Sequence, residues 1–138
     1  MVGSLSGKSA MARDLPRGHP AASGLSETNM NAHENDAGKI LAMERAALEC
    51  WGRGDPEGFL EISAEDVVYF DPYVPKRIDG RAALRTRYAD LRGKVRVDRF
   101  EMIDPKVQFC GEAAVLTFNH VSSIDARAVR WNCTEVFR

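Results

Sequence analysis

The 138-residue chain lacks several features that would assign it to a class of protein at once. No uninterrupted apolar run approaches the roughly 18 residues that a membrane-spanning helix requires. A large net charge of either sign is also missing, because 19 Lys and Arg residues stand against 20 Asp and Glu residues, which leaves a formal charge of −1. Nucleic acids and anionic membranes favour strongly basic surfaces. We therefore expect neither nucleic acid nor a membrane as a partner.

Cysteine and histidine are scarce and widely spaced. The three cysteines, Cys50, Cys110 and Cys133, show no C-x-x-C spacing, so the sequence indicates neither a disulfide framework nor a zinc knuckle. The three histidines share none of the common metal-binding spacings. The cysteines predict a cytoplasmic protein, and the histidine spacing predicts that it binds no metal; we also expect no cofactor.

The first quarter of the chain lacks any hydrophobic period. Residues 1–33 are rich in Gly, Ser, Ala, Pro and Asn, and their apolar residues are isolated. Such a segment cannot bury enough surface to offset the entropy lost on ordering it. We predict a disordered leader over 1–33 and one folded domain over 34–138. A start of translation at Met11 or Met30 is an equally good interpretation of the leader.

The remaining residues show helical patterns first and strand patterns afterwards. Apolar spacing and helix-start signals predict three helices, over 39–51, after Asp55-Pro56 and from Ile78 to Gly93. Alternation and β-branched residues predict strands over 67–70, 95–103, 106–110, 113–124 and 128–138. This order predicts an α+β domain in which helices cover one face of a curved sheet. The apolar phase slips within 95–103, which predicts a bulge or bend near Asp98-Arg99.

Charge is segregated along the domain. Residues 34–71 hold ten acids and three bases, whereas 76–99 hold nine bases and three acids. The two blocks either lie near one another or meet across subunits, although charge runs most often form solvated faces. A sharper alternative is an anion-binding role for Arg81, Arg85 and Arg87.

These elements together resemble the nuclear transport factor 2-like superfamily. The resemblance covers roughly 36–138 and rests on the G-x-G-D-P helix start, the strand ending in Asp-Pro, the I-D-G-R helix start and the segments A-V-L-T-F and R-W-N-C-T-E-V-F-R. The most similar branch contains SnoaL-like and ketosteroid-isomerase-like domains. It implies a cone-shaped, curved antiparallel or mixed sheet wrapped around about three helices. It also implies an apolar pocket and a homodimer formed through the sheet.

The resemblance also implies catalytic residues. In ketosteroid isomerases the general base is an Asp before Pro at the end of the first strand, and Asp71 falls on that position. Asn132 falls on the position of a strand residue that stabilises the oxyanion, and Tyr69 shares a strand face with Asp71. The tyrosine of the first helix corresponds to Ala47 here, which argues against a steroid-type isomerase. The Asp side chain can equally serve to cap backbone N–H groups in a turn before proline.

Further candidates lie on the strands. His120 is a third candidate catalytic residue, because histidine is the side chain type that ordinarily titrates near neutral pH, although a lone strand histidine is more often structural. Candidate ligand-binding residues are Tyr69, Tyr73, Phe100, Asn119 and Trp131. The aromatic ones among them can instead belong to the core or to a dimer interface. Arg130, Asn132 and Thr134 share one face of the last strand, and the correspondence of Asn132 predicts that this face lines the pocket.

Two functions remain open at this point. One is a cofactor-free isomerase, lyase, cyclase or hydrolase that acts on a small apolar, carbonyl-containing molecule with Asp71 as base. The alternative is a non-catalytic homodimeric module that binds a ligand or another protein. Family members usually continue beyond E-V-F-R into a final strand, whereas this chain stops at Arg138. We interpret this stop as a truncation, and we expect an unpaired sheet edge beside the last strand.

Overall fold

The computed structural model describes residues 7–8, 11–12 and 27–138. Its elements in chain order are β1 (Gly7–Lys8), β2 (Met11–Ala12), α1 (Glu27–Gly52), α2 (Glu57–Ile62), β3 (Val68–Tyr69), β4 (Ile78–Asp79), α3 (Arg81–Ala89), β5 (Arg99–Cys110), β6 (Ala113–Ile124) and β7 (Arg127–Phe137). Helices precede a curved sheet whose long strands are antiparallel, so the predicted α+β fold is confirmed. Across the described residues, no helix is both long enough and apolar enough to span a bilayer.

Helix α1 packs one apolar face into the domain. Ile40, Ala47 and Leu48 are buried at positions i, i+7 and i+8, which lie two turns apart on one helix face. The helix begins at Glu27, within the segment predicted to be a disordered leader. Gly58 on α2 lets the two helices approach closely, because a Cβ atom there would lie 2.9 Å from the Cα of Ala47.

The long strands β5, β6 and β7 form a continuous antiparallel meander. Alternate residues of β6 face the helices and are buried, namely Ala114, Leu116, Phe118, His120 and Ser122. Cys133, Glu135 and Phe137 continue this inner face on β7. The outer face carries the intervening residues, which are more exposed. The period-2 pattern of the sequence therefore separates the two faces as expected.

The bulge lies later in the sheet than predicted. Arg99 pairs with Ser123 in regular register, and the register shifts only between Ile103 and Lys106. Asp104 adopts a φ of 49° at this point, which accommodates the extra residue. The segments predicted as two strands, 95–103 and 106–110, thus form the single strand β5. The apparent phase slip arose because Val95 and Val97 precede the strand.

The second edge of β7 is paired in this structure. Strands β1 and β2 both run parallel to β7, with Gly7 opposite Asn132 and Met11 opposite Val136. The expectation of an unpaired edge beside the last strand is therefore wrong at Asn132, Cys133, Val136 and Phe137, which pair with backbone from the predicted leader. The rest of that leader before Glu27 lies outside the described residues.

The acidic and basic blocks meet within one protomer. Arginines of α3 and of the turn after it pair with acids on and around α2: Arg81 with Glu65, Arg85 with Glu57, and Arg92 with Asp55 and Glu57. The Arg85–Glu57 and Arg92–Asp55 contacts measure 2.9 and 2.8 Å. The two blocks are therefore neighbouring surfaces that neutralise one another, rather than separate solvated faces.

Candidate functional site

A cavity of about 600 Å³ lies among the end of α1, helix α3 and the β6–β7 turn. Its aromatic lining consists of Trp51, Tyr69, Tyr73 and Trp131. Its aliphatic lining includes Leu91, Val95, Val97, Ile124 and Val129. The volume falls within the range of about 300–1,000 Å³ that is usual for small-molecule sites. The two valines that precede β5 thus belong to the cavity wall.

Asp71 lies in this wall with both carboxylate oxygens engaged. Its Oδ1 accepts a hydrogen bond of 2.8 Å from the backbone N–H of Tyr73. Its Oδ2 accepts one of 2.8 Å from Nε of Arg87 on α3. The Asp71 side chain is only 4% exposed and that of Arg87 is 23% exposed. Asp71 therefore caps the turn at Pro72, as the structural interpretation predicted, and it also orients a guanidinium group toward the cavity.

Two tyrosines lie next to Asp71. Tyr69 and Tyr88 are both buried, with ring centroids 6.0 Å apart, and they share a hydrogen bond. Burial raises the pKa of Tyr88 well above its usual value, and the neighbouring Tyr69, Glu135 and Asp71 raise it further. The Tyr88 hydroxyl therefore stays protonated near neutral pH; Tyr69 lines the cavity and Tyr88 does not.

Three rings stack across the inner face of the main sheet. The His120 ring lies parallel to Trp131 at a centroid distance of 4.4 Å and parallel to Phe100 at 6.0 Å. Of the three, Trp131 alone belongs to the cavity lining. His120 therefore packs between Phe100 and Trp131, and neither His120 nor Phe100 is among the residues that line this cavity.

Asn119 and Asn132 face away from the cavity. Their exposed side chains meet on the outer face of the sheet, where Nδ2 of Asn119 donates a 2.7 Å hydrogen bond to Oδ1 of Asn132. The predicted polar row of the last strand is thus on the wrong face, because Trp131, Cys133 and Glu135 alternate inward. Arg130 still lines the cavity from its position near the start of β7.

A second depression, of about 540 Å³, lies along α3 and is lined by Glu65, Arg81 and Arg85, among others. Both arginines are paired with glutamates, Arg81 with Glu65 and Arg85 with Glu57. Cations that are already neutralised attract an anion weakly. The anion-binding role considered for these two arginines therefore gains no support from the geometry.

The structure brings together Asp71, Tyr69, Tyr73 and Trp131 from the predicted site. Sequence reasoning missed Trp51, and it grouped Arg87 with its neighbours on α3. It also gave no role to Glu44 and Glu135, which are 1% and 2% exposed. The apolar period of α1 placed Trp51 beside the buried face, which was the one usable signal. Within the described residues, no three His, Cys, Asp or Glu side chains cluster as a metal site would require.

Fold and cavity together define a small α+β domain that encloses a ligand-sized cavity. A family model described as a SnoaL-like domain matches residues 45–138, and the chain belongs to this family. A solved structure from Parabacteroides distasonis, named a "putative ketosteroid isomerase", is 33% identical and superimposes with a TM-score of 0.61. The match covers 71% of this chain and 83% of that chain. No curated protein matches. The predicted SnoaL-like, ketosteroid-isomerase-like branch is thereby confirmed.

Proposed function

We propose that this protein binds a small, largely apolar molecule in the cavity between Trp51 and Trp131. The observation that carries the proposal is the cavity itself, whose wall is aromatic and aliphatic apart from a few polar groups beside Asp71. Small-molecule sites have this composition, since apolar walls supply affinity and a few polar groups fix orientation.

The binding proposal is tested with the two tryptophans of the chain, because both line the cavity. We expect optically silent ketones such as 2-decalone and 5α-androstan-3-one to change the intrinsic fluorescence saturably. Val129→Phe should weaken binding at least tenfold, since Val129 lines the cavity and shares the inner face of its strand with Trp131. Thr134→Phe is the matched control, because Thr134 is an exposed residue of the same strand outside the lining. Absence of any saturable change with either ketone would refute the proposal.

A second candidate function is proton abstraction next to a carbonyl group, with Asp71 as general base. The observation in its favour is that Asp71 borders the cavity beside Tyr69 and Arg87, two groups that can donate hydrogen bonds to a developing enolate oxygen. These two donors replace Asn132 in the proposed chemistry, because Asn132 is held on the outer face. Isomerase, lyase, cyclase and hydrolase reactions all remain within this proposal.

Hydrogen–deuterium exchange tests this chemistry without knowledge of the natural substrate. We expect the protein to accelerate deuterium incorporation at the α-carbon of 2-decalone in D₂O, measured by mass spectrometry. Asp71→Asn should remove the acceleration while it preserves fluorescence binding, because an Asn oxygen can still accept the Tyr73 N–H. Asp98→Asn, an exposed carboxylate outside the cavity, serves as the control. Equal exchange in the wild type and in Asp71→Asn would contradict a base role for Asp71.

The non-catalytic alternative keeps its homodimer and its possible protein partner as predictions. The outer face of β6 and β7 would form the contact, and its Asn119–Asn132 pair makes this face polar at its centre. Sedimentation velocity of wild type and of Asn119→Arg tests the homodimer, since a charge placed in a symmetric contact opposes itself. A monomer in both would exclude association through this face. The cytoplasmic location also stays a prediction.

A further inference from the structure

We infer that the ring of Tyr73 closes over the opening of the cavity when a ligand is bound and thereby slows the release of that ligand. This inference rests on the proposed binding function and adds the residue that controls access to the same site. It starts from an aromatic side chain that lines an apolar cavity and is nevertheless exposed to solvent.

The turn that follows β3 carries two exposed aromatic side chains. Phe70 is 53% exposed and Tyr73 is 83% exposed. Among the large hydrophobic side chains of residues 27–138, only Met30 on α1 is comparably exposed. Of the two aromatic residues in the turn, Tyr73 lines the cavity and Phe70 does not. A side chain that belongs to the lining and also faces solvent lies at the opening, so Tyr73 marks the mouth of the cavity.

The backbone of Tyr73 is held in place, whereas its ring is not. The Tyr73 N–H donates a 2.8 Å hydrogen bond to Oδ1 of Asp71, and the Val74 N–H donates one of 3.3 Å to the Asp71 carbonyl. Among the residues that the structure describes, the Tyr73 ring stacks on no other ring and its hydroxyl forms no hydrogen bond. Exposed side chains of this kind change rotamer rapidly. The ring can therefore turn toward the cavity without breaking a contact.

The remaining wall explains why closure depends on a ligand. Aromatic and aliphatic side chains surround about 600 Å³, a space far larger than one phenol ring can fill. Over a bound apolar molecule, the ring buries one face against that molecule, and this burial is favourable in proportion to its area. The hydroxyl of a tyrosine can stay in water meanwhile, because the side chain is apolar with a polar tip. The ligand thus supplies the surface that holds the ring closed.

Closure also affects the polar groups of the site. Asp71 and Arg87 lie in the same wall, and the Tyr73 N–H is bonded to Asp71 directly. A ring over the mouth keeps water away from this pair. Hydrogen bonds from a polar group to a ligand are stronger where water is excluded. One side chain therefore couples retention of the apolar part of a ligand to recognition of its polar part.

Nitration of the wild-type protein tests whether the ring closes. The chain has three tyrosines, and Tyr69 and Tyr88 are buried, so tetranitromethane should modify Tyr73 alone. We expect saturating 5α-androstan-3-one to slow nitration of Tyr73 about fivefold or more, because closure buries the ring. Half of the protection should occur at the concentration that gives half of the fluorescence change. Unprotected Tyr73 at saturation would refute this inference and leave the binding function standing.

Tyr73→Ala tests the effect on release, with Phe70→Ala as the matched control from the same turn. Both side chains are exposed, so neither replacement disturbs the core. Stopped-flow tryptophan fluorescence with 5α-androstan-3-one should show dissociation about tenfold faster in Tyr73→Ala, with association changed less than about threefold. Phe70→Ala should change neither rate.

Two results of the kinetic experiment would contradict the inference. Equal dissociation from wild type and Tyr73→Ala would show that the ring does not retain the ligand. Equally faster dissociation from Phe70→Ala would show that the turn acts through its general apolar surface and not through the residue that lines the cavity. Absence of any saturable fluorescence change with both ketones would refute the binding function itself and this inference with it.

Discussion

The arginines of α3 invite a comparison between the outside and the inside of the domain. Arg85 meets Glu57 on the surface, where the two side chains are 55% and 34% exposed. Arg87 is two residues further along and meets Asp71, which is 4% exposed, in the cavity wall. Distances are nearly equal, at 2.9 and 2.8 Å, so geometry alone does not distinguish the pairs. The pairs differ in their contact with solvent, because water screens the first pair and is largely excluded from the second.

The comparison shows that ionic contacts of the same kind serve two different purposes on one helix. The surface pairs join α3 to α2 and neutralise the charge blocks. The inner pair fixes the direction of a guanidinium group beside a cavity. Three predictions test this difference, and they are given in order of decreasing expected effect.

Removal of the inner carboxylate should have the largest effect. Asp71→Ala takes away the partner of Arg87 and the acceptor for the Tyr73 N–H. Breaking a buried pair costs roughly 3–5 kcal/mol, and the partial exposure of Arg87 puts our expectation at about 3 kcal/mol. The free energy of unfolding in urea measures this loss. Asp98→Ala, an exposed residue, should stay within about 0.5 kcal/mol of wild type. A similarly small loss in Asp71→Ala would remove the distinction between inside and outside.

The buried Tyr88 should also make the free energy of unfolding decrease with rising pH in the alkaline range. Folding raises the pKa of Tyr88, so the folded state holds this proton more tightly than the unfolded state. The associated stability is complete below about pH 10, the unfolded value, and is lost as pH rises above it. The slope for one such group is about 1.4 kcal/mol per pH unit. Urea unfolding of wild type and Tyr88→Phe between pH 9 and pH 12 measures the difference. Identical slopes would contradict the raised pKa.

Removal of a surface partner should have the smallest effect. Arg85→Ala breaks the contact with Glu57, and exposed pairs contribute about 0.2–1 kcal/mol. The difference from wild type in the free energy of unfolding should vanish in about 1 M salt, where the screening length falls to roughly 3 Å. A loss comparable to that of Asp71→Ala would show that the surface network is as important as the inner pair.

Much of the fold followed from local patterns. The helical spacing of Ile40 and Ala47 and the strand alternation of β6 reflect burial on one face, which acts residue by residue. The turn at Asp71-Pro72 was also readable, because its chemistry involves neighbours in the chain. All of these patterns depend on residues that are close to one another in the sequence. The charge blocks were a signal of longer range, but contact between the two segments was only one interpretation of them, and solvated faces were the preferred one.

The candidate site was less accessible to the same reasoning. A correspondence that places Asn132 in the pocket fails because neighbouring strand residues point to opposite faces, so an error of one position inverts the result. Nothing local separates Arg87 from Arg85, and only the packing of α3 decides which one reaches the cavity. The burial of Glu44 and Glu135 was likewise invisible, since a glutamate at a strand or helix position is usually exposed.

The pairing of β1 with β7 has a consequence for the order of folding. Gly7 lies opposite Asn132, so the partner of the first strand is synthesised 132 − 7 = 125 residues later. The hairpins of β5, β6 and β7 close over a few residues, whereas this parallel contact closes a loop of more than a hundred. Loop-closure entropy grows slowly with length, so the contact is affordable, but it cannot form before β7 exists. On the ribosome, β1 and β2 therefore cannot pair with the sheet until β7 has been synthesised.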